Sequence, residues 1–296
     1  MNSSRSTLVD ESDAIPLGHG PLPATDAELA SRLRTAIAAE WPEPAAGWDS
    51  IPGWTAAFSA RPDLASIELD LTGYAVPVGG QGEDADVAEP RSAEIGHVQP
   101  ALIASARVLA SPMDVAGVPL DLLLDASDLP VEWVTDAEGE LWIRLDEARA
   151  GDLRAHFRLC VPVEEARAGL RAALTAELAA ARFGLSSFDF DLRARRGTEL
   201  SGWVQARLRK GILSAKARAR AEVRIDPMTM SATVTRLSVR SANPVLGLAL
   251  LAVRSKIRAY EGRSFDLNES MPAGVRLVGL AVDTAGSELV VSGRFG

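Results

Sequence analysis

Between Ser214 and Asp226 apolar and polar residues alternate without interruption. Ala215, Ala217, Ala219, Ala221, Val223 and Ile225 take the odd positions, with Lys216, Arg218, Arg220, Glu222 and Arg224 between them. Alanine is the best helix former, so composition alone points to a helix. A helix, however, would scatter the four cations around its circumference, whereas a strand gathers them on one face and the alanines on the other. The alternation therefore predicts a strand with a basic face and a small apolar face. Four successive alanines on that apolar face leave volume above the sheet, and a closely packed helix or a ligand must fill it.

The same period recurs along most of the chain from residue 66 onward. Ile67, Leu69 and Leu71 share a face, as do Val118, Leu120, Leu122 and Leu124, then Leu141, Ile143 and Leu145, then Leu153, Ala155, Phe157, Leu159 and Val161. Phe188, Phe190 and Leu192 alternate with Asp189, Asp191 and Arg193, and Leu200, Val204, Ala206 and Leu208 alternate with polar residues. Such alternation marks half-buried antiparallel strands. Met228, Met230, Ala232 and Val234 continue it, which predicts a hairpin turning at Asp226 and Pro227. Two last strands are expected near 275–283 and 288–295, joined by Thr284, Ala285 and Gly286.

Helical signals are fewer. Thr25 and Glu28 have capping-box spacing, and Leu29, Leu33 and Ile37 fall on one face, so a helix should open at Thr25 and stop at Trp41 and Pro42. A second should start near Pro162, with Glu164 and Glu165 in its first turn and Leu170, Leu174 and Leu178 along one face. Asn243 and Pro244 read as the cap and first residue of a third, through Leu246, Leu250, Val253 and Ile257 to about Tyr260. Its first ten residues are apolar all round, the pattern of a helix buried on every side. The expected class is α+β: a long, highly curved antiparallel sheet wrapped around one or two amphipathic or apolar helices, with an N-terminal helical cap. Residues 1–24 read as a disordered arm, 25–65 as a helix and a cap containing Trp41, Trp48 and Trp54, and 66–296 as the main domain, with a Gly-rich acidic loop at 79–94.

Charge and missing chemistry narrow the function. Residues 1–150 hold 8 Arg and 26 acids, a net of −18, and residues 151–296 carry +9. Between Arg193 and Arg263 there are 16 Lys or Arg against four acids, a segment that attracts phosphates, anionic lipid or the chain's own acidic half. Nucleic acid is not expected, because such a surface wants aromatics interleaved with the cations and only Trp203 lies nearby. His19, His97 and His156 form no metal spacing, and Cys160 has no positioned histidine partner. No nucleophile elbow, Walker loop or dinucleotide fingerprint occurs. A non-enzymatic protein without metal or cofactor is therefore expected. The N-terminal twenty residues lack the apolar run of a secretory signal, and no run reaches the roughly 18 apolar residues of a span, so a cytoplasmic location is expected, with possible peripheral contact at the inner face of an anionic membrane.

From Phe265 to Leu280 the chain reads FDLNESMPAGVRLVGL, followed by SELVVSG from Ser287; earlier, VAGVPLDL begins at Val115. These stretches resemble the actinobacterial phospholipid-binding proteins linked to lipomannan elongation, within the tubular lipid-binding (TULIP-like) superfamily. The resemblance covers residues 100–296. It implies a curved sheet wrapped around a helix, an apolar groove for acyl chains and no catalytic residues. Joined to the patterning, it assigns Ala215, Ala217, Ala219, Ala221, Leu170, Leu174, Leu246, Leu250, Val253 and Ile257 to the groove and Lys216, Arg218 and Arg220 to the phosphate of a phospholipid or other amphipathic small molecule. A scaffold or interaction module with a closed core and no ligand is the alternative reading.

Overall fold

A computed structural model describes residues 8–10, 14–40, 53–76, 92–115, 117–180, 184–195, 197–210, 213–241, 259–269, 271–272 and 274–296. Their backbone is mostly strand. The elements in chain order are β1 (Leu8–Asp10), β2 (Ala14–His19), α1 (Asp26–Glu40), β3 (Gly53–Phe58), β4 (Leu64–Asp70), β5 (Ala75–Val76), β6 (Ser92–Val115), β7 (Val118–Asp136), β8 (Glu140–Leu145) and β9 (Arg154–Pro162). They continue with α2 (Val163–Ala180), β10 (Gly184–Arg195), β11 (Glu199–Lys210), β12 (Leu213–Asp226), β13 (Ser231–Ser241), β14 (Ser264–Asp266), β15 (Leu277–Ala285) and β16 (Glu288–Phe295). The expected helix over Leu246, Leu250, Val253 and Ile257 lies outside the described residues, as do Trp41, Trp48 and residues 79–91 of the acidic loop.

Two sheets result, and neither closes on itself among the described residues. The larger runs β15-β16-β9-β7-β6-β4-β3, with β1 and β5 also on β6 and β8 on β7 carrying β2. The smaller runs β10-β11-β12-β13-β14. The pairing is not wholly antiparallel: β4 and β5 both run parallel to β6. The N-terminal arm is not wholly disordered either. β1 pairs with β6 and β2 with β8, burying Val9, Ala14 and Leu17. Leu8, Val9, Ala14, Ile15 and Leu17, in two short runs separated by acids and Ser, carry too weak a period to reveal strands that borrow their stability from a preformed sheet.

α1 forms as its capping box dictates. The Glu28 amide donates to Thr25 Oγ1 at 3.2 Å, and Glu28 Oε2 accepts from the Ala24 amide at 2.8 Å. Leu29, Leu33 and Ala36 then bury against Leu17, Ala56, Leu64, Ile103, Val131, Trp133 and Ile143, forming the main core on one face of the large sheet. Each fully buried leucine contributes about 1.5–3 kcal/mol. Trp133 satisfies its indole N–H on the Pro62 carbonyl at 3.0 Å, tying β7 to the β3–β4 turn. On the opposite face Val134 and Trp142 pack with Val9 and Ala14, so this end of β7 is buried on both sides. No described helix is long and apolar enough to cross a membrane.

β7 is longer than either partner on its outer edge. It pairs with β9 from Asp121 to Ser127 and with β8 from Val131 to Thr135. The fork lies at Asp128, whose φ of 55° turns the strand, and at Pro130, whose carbonyl accepts from the Asp146 amide. The β12–β13 hairpin is found where expected, but Met228 is 90% exposed in the turn instead of opening the second strand. Asp226 Oδ1 takes the Met228 amide and closes that turn.

Two features of the large sheet generate tests. Asp136 is buried, which pushes its carboxyl up, yet amides of Glu140, Glu138 and Gly139 and the Trp142 indole outweigh burial and hold it below the ordinary 3.8. A depressed carboxyl contributes stability that is full above its unfolded value and lost as pH falls through the folded one. Asp136→Asn should therefore lower the unfolding free energy from urea titration at pH 6 by about 1 kcal/mol for the lost charge-assisted bonds, and lower it less at pH 3. At Gly274 φ is +84°, and a Cβ would sit 2.7 Å from the Glu147 carbonyl oxygen and 2.8 Å from Ala150 Cβ. Gly286 has a similar φ of +64° with nothing within 4 Å. Urea unfolding should show Gly274→Ala costing about 2 kcal/mol and Gly286→Ala about 1, the difference being the collision.

Candidate functional site

The five-stranded sheet separates two chemistries through its own pleat. Ala215, Ala217, Ala219 and Ala221 are half-buried on one face, and Lys216, Arg218, Arg220 and Arg224 are exposed on the other. Register extends each face across the strands. Phe188, Ala206 and Ala217 form one row on the apolar face, and Phe190, Val204 and Ala219 the next. Ala206 and Phe190 are buried.

α2 covers the β10 side of this apolar face. It arrives directly from β9, and at Gly169 it approaches the tip of the β6–β7 hairpin so closely that a Cβ would collide with Cγ2 of Val118. Arg167 anchors the other side: its Nη2 donates to the Phe190 carbonyl at 3.0 Å, and its Nη1 meets Glu164 at 2.9 Å. β10 is an edge strand, so this guanidinium satisfies a backbone acceptor that the ladder leaves open. An open groove of about 700 Å³ remains beside the helix, lined by Glu164, Arg167, Ala168, Arg171, Ala172, Thr175, Ala176, Ala179 and Phe188. Phe188 belongs to both the groove and the apolar row, so the two surfaces are continuous.

The expected site residues divide on this geometry. Leu170 is 46% exposed and Leu174 half-buried, and neither lines the groove; the alanines of the same helix do. The alanine face of β12 does not line it either, but lies two strands away along the shared row. Leu246, Leu250, Val253 and Ile257 are outside the described residues. Lys216, Arg218 and Arg220 are on the reverse face from the alanines. A single lipid lying on the alanines would therefore not reach those three cations through the sheet. The groove residues Ala168, Ala172, Ala176 and Ala179 had a signal in their helical spacing, which the leucine stripe outweighed.

On the basic face the cations are interleaved with acids and one ring. Arg218 stacks over Trp203, 4.8 Å from the ring centroid, and the Trp203 indole N–H donates to Asp191 at 3.2 Å. Arg193 meets Asp191 at 2.9 Å, Arg220 meets Glu222 at 2.9 Å and Arg224 meets Glu199 at 3.0 Å. His156 and Arg107 converge on Asp125 in the large sheet, at 3.5 and 2.6 Å, while Cys160 is buried where β9 runs into α2. Among the described residues no group of three His, Cys, Asp or Glu side chains is placed to hold a metal ion. No family model, curated protein or solved structure matches the chain.

Arg167→Met keeps most of the side-chain volume and removes both donors. It should cost about 1 kcal/mol in urea unfolding, discounted for the partial exposure of the guanidinium, and speed amide exchange over residues 185–192 more than over β7.

Proposed function

We propose that the chain is a non-enzymatic binding protein that shelters the acyl portion of a phospholipid or similar amphipath, and that the acyl chain lies in the groove between α2 and the apolar face of the five-stranded sheet. The observation that carries this reading is the groove, whose volume falls within the range of small-ligand sites and whose walls are largely alanine methyls and the Phe188 ring. Each methylene that leaves water there gains about 0.8 kcal/mol, and alanine walls leave room for it. Arg167 and Arg171 flank the same groove as cations for a headgroup. Arg167 Nε is buried with no hydrogen-bond partner among the described residues, a donor that an anionic oxygen entering the groove would satisfy.

The resemblance of Phe265–Leu280 and its neighbours to TULIP-like proteins supports the same reading. In it the small sheet curves about α2, and the row Phe188, Ala206, Ala217 extends the groove floor toward the alanine ladder. The helix α1 then serves as a cap on the far end of the large sheet.

Protein purified from cells should carry phospholipid in native mass spectra. Ala172→Trp fills the groove from an exposed helical position and should lower uptake of a fluorescent acyl probe at least about tenfold with an unchanged Tm. A lipid-free spectrum, with no probe uptake by the unmodified protein, would sink the proposal.

A further inference from the structure

The reverse face of the same sheet holds a second recess of about 240 Å³, lined by Arg218, Arg220, Arg236, Ser238 and Arg240. Its walls come from two adjacent strands in fixed register: Arg218 lies directly opposite Arg240, Arg220 opposite Ser238, and Glu222 opposite Arg236. Directly paired residues on one face have Cβ atoms about 5 Å apart, and successive pairs are separated by about 7 Å along the strands. Four guanidinium groups therefore converge on a patch small enough for one anion with two or more charges.

The acids nearby do not balance them. Glu222 is the carboxylate that reaches this group, at 2.9 Å from Arg220 and 3.7 Å from Arg236. Among the described residues no ion pair involves Arg218 or Arg240. Like charges directly opposite in an antiparallel pair destabilise it, so the Arg218–Arg240 row costs the unliganded sheet stability. Arg218 is further held in place by the Trp203 ring beneath it, and Ser238 adds a hydroxyl donor between the arginines. Planar guanidinium groups with forked donors match the oxygens of a phosphate group, and fixing one of them by stacking lowers the entropy lost on binding.

We infer that Arg218, Arg220, Arg236, Arg240 and Ser238 form a binding site for a phosphate-class anion, a diphosphate or a phosphate ester carrying two or more negative charges. The site lies on the opposite face from the groove and does not depend on what the groove holds. Its chemistry is common to a free phosphate compound and to a lipid headgroup, and the two differ only in what the phosphate is attached to.

The test is a calorimetric and thermal titration of the full chain with pyrophosphate at constant ionic strength, and in parallel with short-chain phosphatidic acid below its aggregation limit. Saturable binding with a rise in Tm is expected; both titrations are repeated on the Ala172→Trp variant, whose groove is filled, and the probe that binds more tightly there identifies the source. Arg240→Gln should weaken binding at least about tenfold, because it removes a charge-assisted contact to the anion. The same substitution should leave the Tm of the unliganded protein unchanged or higher, because it relieves the repulsion with Arg218. That second reading separates loss of the site from loss of the fold. Binding that survives undiminished in an Arg218→Gln/Arg240→Gln double variant, or a Tm rise reproduced by chloride of matched ionic strength, would overturn the assignment. Loss of acyl-probe uptake in Ala172→Trp with pyrophosphate binding intact would leave the two sites standing separately.

Discussion

The hairpin of β6 and β7 is the member on which the other elements assemble. Its strands of 24 and 19 residues meet at a tight turn where Gly117, at φ +78°, gives its amide to the Asp114 carboxylate. Every other strand of the large sheet reaches the hairpin directly or through one intermediate, except β15, which reaches it through β16 and β9. The length of the pair matters because no single partner spans it. β8 and β9 divide the outer edge of β7 at the Asp128 fork, and β1, β4 and β5 divide the edge of β6. One end of the hairpin is thereby buried on both faces and lies at the centre of the core, with Ala101, Ile103, Val131 and Trp133 on one side and Val134 on the other, while its tip is left to receive α2.

That arrangement leaves the small sheet outside the main buried clusters. α2 is held at the hairpin tip by the close approach of Gly169 and at β10 by Arg167, and it covers only one side of the apolar face. The small sheet is joined to the large one at a further point, where the Val282 amide donates to the Gly197 carbonyl at 2.9 Å. With the core formed around α1, the alanine and arginine faces of the small sheet carry little of the main packing. Small apolar and cationic side chains then occupy opposite sides of one layer, because side chains of a strand point alternately up and down.

Much of this was legible in the residues. The β12 alternation, the capping box at Thr25 and the paired strands near the C-terminus all depend on local chemistry, and all appear with bounds within a few residues of those expected. β6 escaped notice although it is the longest strand. Pro100 and Pro112 interrupt its sequence, and irregular pairing between Ile95 and His97 and between Ala110 and Met113 shifts the parity of its side chains. A bulge moves every later residue to the other face, so a strict period-two reading loses the strand. β1, β2 and β5 are short and acquire their structure from partners far along the chain, for which a local pattern contains no signal.

By itself the sequence determined that the cations of β12 and its alanines lie on opposite faces, because that follows from the strand period and from nothing else. It determined equally that α1 starts after Thr25, whose hydroxyl accepts a first-turn amide while the Glu28 carboxylate reaches back to the amide of Ala24. Tertiary structure alone decided which neighbours those faces acquire. Register brought Arg240 opposite Arg218 across the hairpin and set Trp203 beneath Arg218. Packing of α2 on a distant hairpin tip turned its alanine stripe toward Phe188 and left Leu170 facing solvent. These pairings are set by register and packing, and their energies depend on distance and orientation in space, which local periodicity does not encode.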